Sequence, residues 1–143
     1  MRIWRIALLA ALVLILGVTT VAPEPSAQAA TARKKVLVQL RERGGFAGLD
    51  DRVTVYTDGC ARLSRRTGPV VRRCLTDAEM RGLRRDLTHL RLGRSESQPP
   101  GADFIGYTLT YRGHRALRYT LSSSWSPVVR RLEKILHKYW APA

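Results

Sequence analysis

Alternating apolar and polar positions predict two neighbouring strands in the first half of the chain. Val36, Val38 and Leu40 fall on one side of a strand, because side chains in a strand alternate with period two. The alternation resumes in Val53–Asp58, which predicts a second strand. The connecting segment 44–51 contains three glycines within five positions. Glycine at this density indicates a backbone that needs unusual dihedral angles or a close approach.

A capped helix is predicted after these strands. Thr76 is placed as the N-cap residue, and Glu79, three residues later, completes a capping box. Gly93 is predicted to end the helix, since glycine often takes the left-handed conformation found at that position. Apolar residues at helical spacing form one stripe along this helix. The stripe consists of Met80, Leu83, Leu87 and Leu90.

A hairpin is predicted in the second half of the chain. Phe104–Tyr111 has the clearest strand alternation, and residues 112–113, Arg-Gly, are predicted to form the turn. The returning strand is predicted to place Leu117, Tyr119 and Leu121 on its apolar side.

The last element is predicted to be a helix with Ser126 as its N-cap and Pro127 as its first residue. The element order is ββ(β)αββα, with strands in hairpin pairs. This order predicts an α+β fold, in which two helices cover one face of a largely antiparallel sheet of four to five strands. The predicted buried stripe of the last helix is Val128, Leu132, Ile135, Leu136 and Tyr139.

Cys60 and Cys74 are the two cysteines of the chain, and we expect them to form one disulfide. The bond would close a loop of about 15 residues and add about 3 kcal/mol of stability. The basic turn Arg65–Pro69 lies between them. We therefore predict a stapled hairpin in which Val53–Asp58 runs out and Val70–Arg73 returns.

The first residues have the pattern of a secretory signal. Arg2 and Arg5 precede the uncharged run Ile6–Val21, a proline-rich break follows, and residues 27–29, Ala-Gln-Ala, suit signal peptidase. We predict cleavage after Ala29, which leaves a single secreted domain, residues 30–143. An uncleaved signal anchor is the alternative, although the run is short for a membrane span.

The charge of the chain bears on its partners. The whole chain carries +14, and removal of two arginines and one glutamate with the signal leaves +13. Such a charge attracts polyanions or an acidic partner, although a GC-rich genome also enriches arginine without functional reason. Export argues against nucleic acid as the target. An anionic cell-envelope polymer or membrane surface is the better electrostatic target, and the positive charges are spread along the sequence.

The search for catalytic groups gives no recognisable site. His89, His114 and His137 are the three histidines, and they belong to no metal or triad motif. The serines at 122–124 lack the glycines of a nucleophile elbow. We therefore expect neither an enzyme nor a bound metal or cofactor, and we expect a monomer.

One segment carries a family resemblance. Residues 43–48, Arg-Gly-Gly-Phe-Ala-Gly, follow a short first strand and resemble the signature of the emfourin family, small protein inhibitors of thermolysin-like metallopeptidases. The later elements agree in order across residues 36–139, including Ala102 and Asp103 before a strand that carries Tyr107. The chain departs from the family pattern in its export signal, its cysteine pair and its strongly basic charge.

The resemblance implies tight, non-covalent occlusion of the active-site cleft of a secreted thermolysin-like metallopeptidase. Phe46 or Leu49 would fill the apolar pocket beside the cut bond, while Asp50, Asp51 or a backbone carbonyl would approach the zinc of the enzyme. The alternative is that the glycines form a tight turn and that Phe46 packs into the core. The implied binding residues are Gly44, Gly45, Phe46, Ala47, Gly48, Leu49 and Asp50.

Overall fold

The computed structural model describes residues 34–101 and 103–140. The predicted signal peptide, residues 1–29, and its cleavage site lie outside the described residues. Within the part of the chain that is described, no helix has the length and apolar character needed to cross a membrane.

Six strands form one antiparallel sheet with the order β4-β3-β2-β1-β5-β6, and two helices complete the fold. The predicted α+β class with an antiparallel sheet is confirmed, but the sheet has six strands rather than four to five. The elements are β1 (Val36–Gly44), β2 (Leu49–Tyr56), β3 (Cys60–Ser64), β4 (Val71–Cys74), α1 (Asp77–Thr88), β5 (Ile105–Tyr111), β6 (His114–Arg118) and α2 (Ser126–Tyr139).

The central strand β1 fixes which side of the sheet is buried. Leu40 pairs with Val53 of β2 on one side and with Leu109 of β5 on the other, and all three are buried in the core. Both helices pack on this face, and their apolar stripes join the same hydrophobic cluster. We call the opposite side, which neither helix covers, the open face.

Trp125, which the sequence analysis did not place in the core, is fully buried just before α2. Its indole Nε1 donates to the carbonyl oxygen of Arg91 at 3.0 Å, so the polar end of the ring is satisfied as burial requires. Trp125, and not Ser126, is the N-cap residue of α2. The carbonyl oxygen of Ser122 accepts from both of their backbone N–H groups, so this turn replaces a side-chain cap.

The capping box of α1 is present, with Thr76 accepting from the backbone of Glu79 and the Glu79 carboxylate accepting in return. The helix ends at Thr88 with His89 as its C-cap, five residues before the predicted end at Gly93. The reason is that the last turn tightens: the N–H of His89 donates to the carbonyl of Asp86, three residues back, at 3.2 Å.

The disulfide between Cys60 and Cys74 is present, with an S–S distance of 2.08 Å, but it joins a different hairpin from the predicted one. β3 and β4 pair with each other, and Cys60 lies directly opposite Cys74. The chain reverses before Cys60, where Gly59 donates its N–H to the carbonyl of Tyr56 at 3.1 Å. This turn inserts β3 between the two strands that the sequence analysis had paired.

The returning strand β6 also faces differently from the prediction. Ala116 lies opposite Leu109 on the buried face, and Leu117 lies opposite Thr108 on the open face. The two-residue turn between β5 and β6 sets this register by pairing Tyr111 with the first residue of β6.

Candidate functional site

The candidate site is the tip of the hairpin that joins β1 to β2. Gly44 and Leu49 are the last pair of the ladder, so residues 45–48 form the tip. The N–H of Gly48 donates to the carbonyl of Gly45 at 2.9 Å, which closes a four-residue turn. Phe46 stands at its outer edge with 93 % of its surface exposed. The structure therefore excludes the alternative in which Phe46 is packed into the core.

Glycine is favoured at two positions around this turn. Gly44 has φ +107°, and a Cβ atom there would overlap the carbonyl oxygen of Phe104. Gly48 has φ +57°, and a Cβ atom there would meet the guanidinium of Arg66. The glycines thus let the carbonyl of Phe104 and the side chain of Arg66 approach the turn closely, and Phe46 remains as the one large side chain of the tip.

The tip is braced from two sides by other parts of the fold. The N–H of Gly45 donates to the carbonyl of Phe104 at 3.3 Å. Arg66, in the turn between β3 and β4, donates to the carbonyl oxygens of Ala47 at 3.2 Å and Gly48 at 3.3 Å. Because these bonds come from segments far away in the sequence, the tip has a defined shape before any partner arrives.

The turn that carries Arg66 is itself held by the end of α2. The indole Nε1 of Trp140 donates to the carbonyl of Pro69 at 3.0 Å, and the guanidinium of Arg65 lies 4.9 Å from the centre of the indole ring. The disulfide closes the other end of the same hairpin. The stapled hairpin therefore connects the final helix to the candidate site.

The two carboxylates next to the tip are already engaged in the fold. Asp50 lies on the open face, where both of its oxygens accept from Arg41 at 2.9 and 3.0 Å. This hydrogen-bonded guanidinium lowers the pKa of Asp50. Asp51 points to the opposite side, where it is paired with Glu42 across the strands and lies 3.7 Å from Arg65. Neither carboxylate stands at the tip beside Phe46.

Leu49 is half-buried on the helix-covered side of β2, so Phe46 is the apolar group that the tip presents. The carbonyl oxygens of Gly45, Ala47 and Gly48 accept hydrogen bonds within the fold. The carbonyl oxygen of Phe46 accepts none from the described residues. A phenyl ring and an unused carbonyl therefore occupy the outermost position of the turn.

A buried glutamate lies three residues before the tip. Glu42 is only 7 % exposed, and its Oε1 has no hydrogen-bond partner among the described residues. Burial, and then the nearby carboxylates of Glu133 and Asp51, raise its pKa to about 7, although Arg65 opposes the shift. The base of the hairpin thus contains a group that titrates near neutral pH.

The described residues contain no group of three or more metal-binding side chains in reach of one ion. Of the three histidines, His137 contacts Arg65, with 2.9 Å between its Nδ1 and a guanidinium nitrogen. His89 is the C-cap of α1 and His114 begins β6. The fold does not bring them together.

The sequence does not predict the residues that support the tip. Arg66 was assigned only to a basic turn, and Phe104 only to a strand, because both contacts depend on how distant segments pack. The one available signal was the presence of basic residues in the turn between the two cysteines. That signal does not show that Arg66 donates to carbonyl oxygens of the tip.

No protein-family model matches the chain, and no curated protein matches it. The emfourin resemblance therefore stays a prediction from the sequence, and the function is argued from the geometry of the tip.

Proposed function

We propose that this protein is a secreted inhibitor of a thermolysin-like metallopeptidase and that it acts by inserting the β1–β2 hairpin tip into the active-site cleft. The observation that carries the proposal is the 93 % exposure of Phe46 at the apex of a braced turn. A large apolar side chain in water forgoes the free energy of burial, about 1.5–3 kcal/mol for a phenylalanine. A partner with an apolar pocket can recover that free energy.

The shape of the tip favours a substrate-like inhibitor. Its hydrogen bonds to Phe104 and Arg66 hold it in one conformation, so little conformational entropy is lost on binding. The Phe46 ring would enter the apolar pocket that receives the residue after the cut bond. The backbone carbonyl of Phe46 would face the zinc of the enzyme. The carboxylates of Asp50 and Asp51 would not, because both are engaged within the fold.

Charge near the tip would assist association. Arg43 precedes the glycines and is exposed on β1, and Arg66 is exposed beside the turn. Positive charge around a contact site accelerates encounter with an acidic partner and does so less at high salt. The apolar contact at Phe46 would supply the affinity that persists at moderate salt.

The proposal is tested by titrating a secreted thermolysin-like peptidase with the purified protein and following residual activity. We expect inhibition with a one-to-one endpoint. Phe46→Ala should raise the inhibition constant about 10- to 100-fold, because it removes one buried aromatic contact. Its stability should be unchanged, since the side chain is exposed.

Val36→Ala is the matched control. Val36 is an exposed apolar residue at the opposite end of β1, 43 % accessible, so its loss changes apolar surface away from the tip. The control should inhibit like the unmodified protein. Equal inhibition by Phe46→Ala and the unmodified protein would remove the tip from the contact site.

A further inference from the structure

The open face of the sheet gathers arginines that are far apart in the sequence. Five of the six strands each contribute one, and the strand order places them side by side across the sheet. We call this set the basic stripe. Its members are Arg72 of β4, Arg62 of β3, Arg52 of β2, Arg41 of β1 and Arg115 of β6.

Register shows that these side chains share the open face. Along β2, Arg52 alternates with the buried Val53, and along β3, Arg62 alternates with the buried Leu63. The described helices lie on the other side with the hydrophobic core. Neighbouring strands are about 4.8 Å apart, so the five intervals of the sheet make the stripe about 24 Å wide.

The stripe contains like charges in direct opposition. Arg41 lies opposite Arg52 on neighbouring strands, and Arg62 lies opposite Arg72. Like charges at such positions destabilise a sheet. Among the described residues, Asp50 gives Arg41 a carboxylate partner, whereas the other four arginines form no ion pair. Opposed arginines lower the stability of the free protein. Such an arrangement is expected where a bound anionic ligand neutralises the positive charges.

The positions between the arginines are polar hydrogen-bonding groups. Gln39, Thr108 and Thr110 lie with Arg41, Arg52 and Arg115 around a depression of about 110 Å³ on this face. Guanidinium groups bind phosphate oxygens in a bidentate manner, and hydroxyl and amide groups add further donors. The lining of this depression contains no aromatic ring on which a nucleic-acid base would stack and no apolar side chain that would enter a bilayer, and Leu117, opposite Thr108 on the same face, lies outside the lining.

We propose that the basic stripe binds a flexible linear polymer with phosphate groups along its chain, which would lie across the strands. Arg41 and Arg52 of the stripe are three residues, or about 10 Å, from Gly44 and Leu49, the last strand pair before the tip. The inference therefore goes beyond peptidase inhibition and does not depend on it. A bound polymer would leave Phe46 accessible and would hold the protein on a phosphate-rich surface.

The test measures binding of long-chain inorganic polyphosphate to the purified protein over a series of salt concentrations. The informative variant is Arg52→Gln with Arg62→Gln, which removes one member of each like-charged pair and leaves the ion pair of Arg41 in place. Its matched control is Arg81→Gln with Arg130→Gln, two exposed arginines on the helices, which changes net charge equally.

The stripe variant should bind polyphosphate at least about tenfold more weakly near 0.1 M salt and lower the slope of log affinity against log salt by about two. The control variant should lose much less affinity for polyphosphate. Equal losses in both variants would overturn the proposal, because binding would then follow net charge alone. Equal affinity for poly-glutamate, or tighter binding to anionic phospholipid vesicles, would also overturn it in favour of a carboxylate polymer or a membrane.

Two further readouts separate this inference from folding defects and from peptidase inhibition. Arg62→Gln alone should unfold about 1–4 °C higher than the unmodified protein, since it removes the repulsion with Arg72, which no carboxylate among the described residues offsets. A lower midpoint would contradict the claim that these arginines repel each other in the free protein. Inhibition of the peptidase by the stripe variant should be retained at moderate salt, and its loss would place the stripe in the peptidase interface instead.

Discussion

Replacing Glu42 by glutamine is expected to remove a pH dependence of stability that lies between about pH 4.5 and pH 7. Glu42 is on the buried side of β1, between Asp51 of β2 and Tyr107 of β5, with Glu133 of α2 close by. Burial and the two neighbouring carboxylates raise its pKa from an ordinary 4.5 to about 7, against the opposing effect of Arg65. The folded protein therefore holds this proton at pH values where the unfolded chain has released it.

The sign and size follow from proton linkage. Between the two pKa values the folded state binds more protons than the unfolded state, so the free energy of unfolding decreases as the pH rises. The decrease is about 1.4 kcal/mol per pH unit, or about 3 kcal/mol in total by pH 8 for a pKa of about 7. Below pH 4.5 both states are protonated and the penalty is absent.

The assay is denaturant unfolding at about pH 4.5, 6, 7 and 8, followed by tryptophan fluorescence, to which the buried Trp125 contributes. Glu42→Gln mimics the protonated side chain, so it should match the unmodified protein at pH 4.5 and be the more stable by up to about 3 kcal/mol at pH 8. A difference that is constant with pH, or that grows as the pH falls, would refute the assignment of a raised pKa to Glu42.

Three other changes test the packing around the site. Gly44→Ala should destabilise the protein by about 1–3 kcal/mol and weaken inhibition, because its Cβ atom would overlap the carbonyl of Phe104 at a positive φ; thermal unfolding and the inhibition titration measure the two effects. Glu79→Gln should cost stability above pH 4.5 and progressively less toward pH 2, since hydrogen bonds to the carboxylate overcome burial and lower its pKa to about 2; acid-unfolding curves that coincide above pH 4.5 would contradict this. Exchange of Cys60 and Cys74 for serine should cost about 3 kcal/mol by opening the closed loop, measured by denaturant titration under matched conditions.

Local signals in the sequence predicted much of the fold. The capping box at Thr76 and Glu79 gave the start of α1, because both partners lie within one turn of chain. The glycine-rich segment was correctly expected to connect two strands. The alternation of apolar and polar residues correctly predicted the buried sides of β1 and β2, where Leu40 lies opposite Val53.

The errors arose where pairing between segments decides the outcome. The turn at Gly59 makes β3 a separate strand, although its alternation of Ala61 and Leu63 is too short to stand out. In β6 the prediction was wrong, because Leu117 is apolar and was therefore expected on the buried side. It packs instead on the open face, 3.2 Å from the position where a Cβ atom of Gly106 would lie.

The basic stripe shows the same limit for the candidate surfaces. Its arginines are separated by 10 or more residues in the chain, so their charge looks evenly spread in the sequence. Only the strand order and register bring them together. Likewise, the exposure of Phe46 depends on the hydrogen bonds that join the tip to Phe104 and Arg66. No local sequence pattern predicts these bonds.

The most direct test of peptidase inhibition is competition between this protein and a small zinc-chelating inhibitor known to occupy the cleft of a thermolysin-like enzyme. The measurement is the apparent inhibition constant of the protein as the small inhibitor is increased. If the tip with Phe46 occupies the cleft, binding is mutually exclusive, and the apparent constant should rise linearly with the concentration of the small inhibitor. An apparent constant that stays the same would show that the two bind together and would contradict occlusion of the cleft.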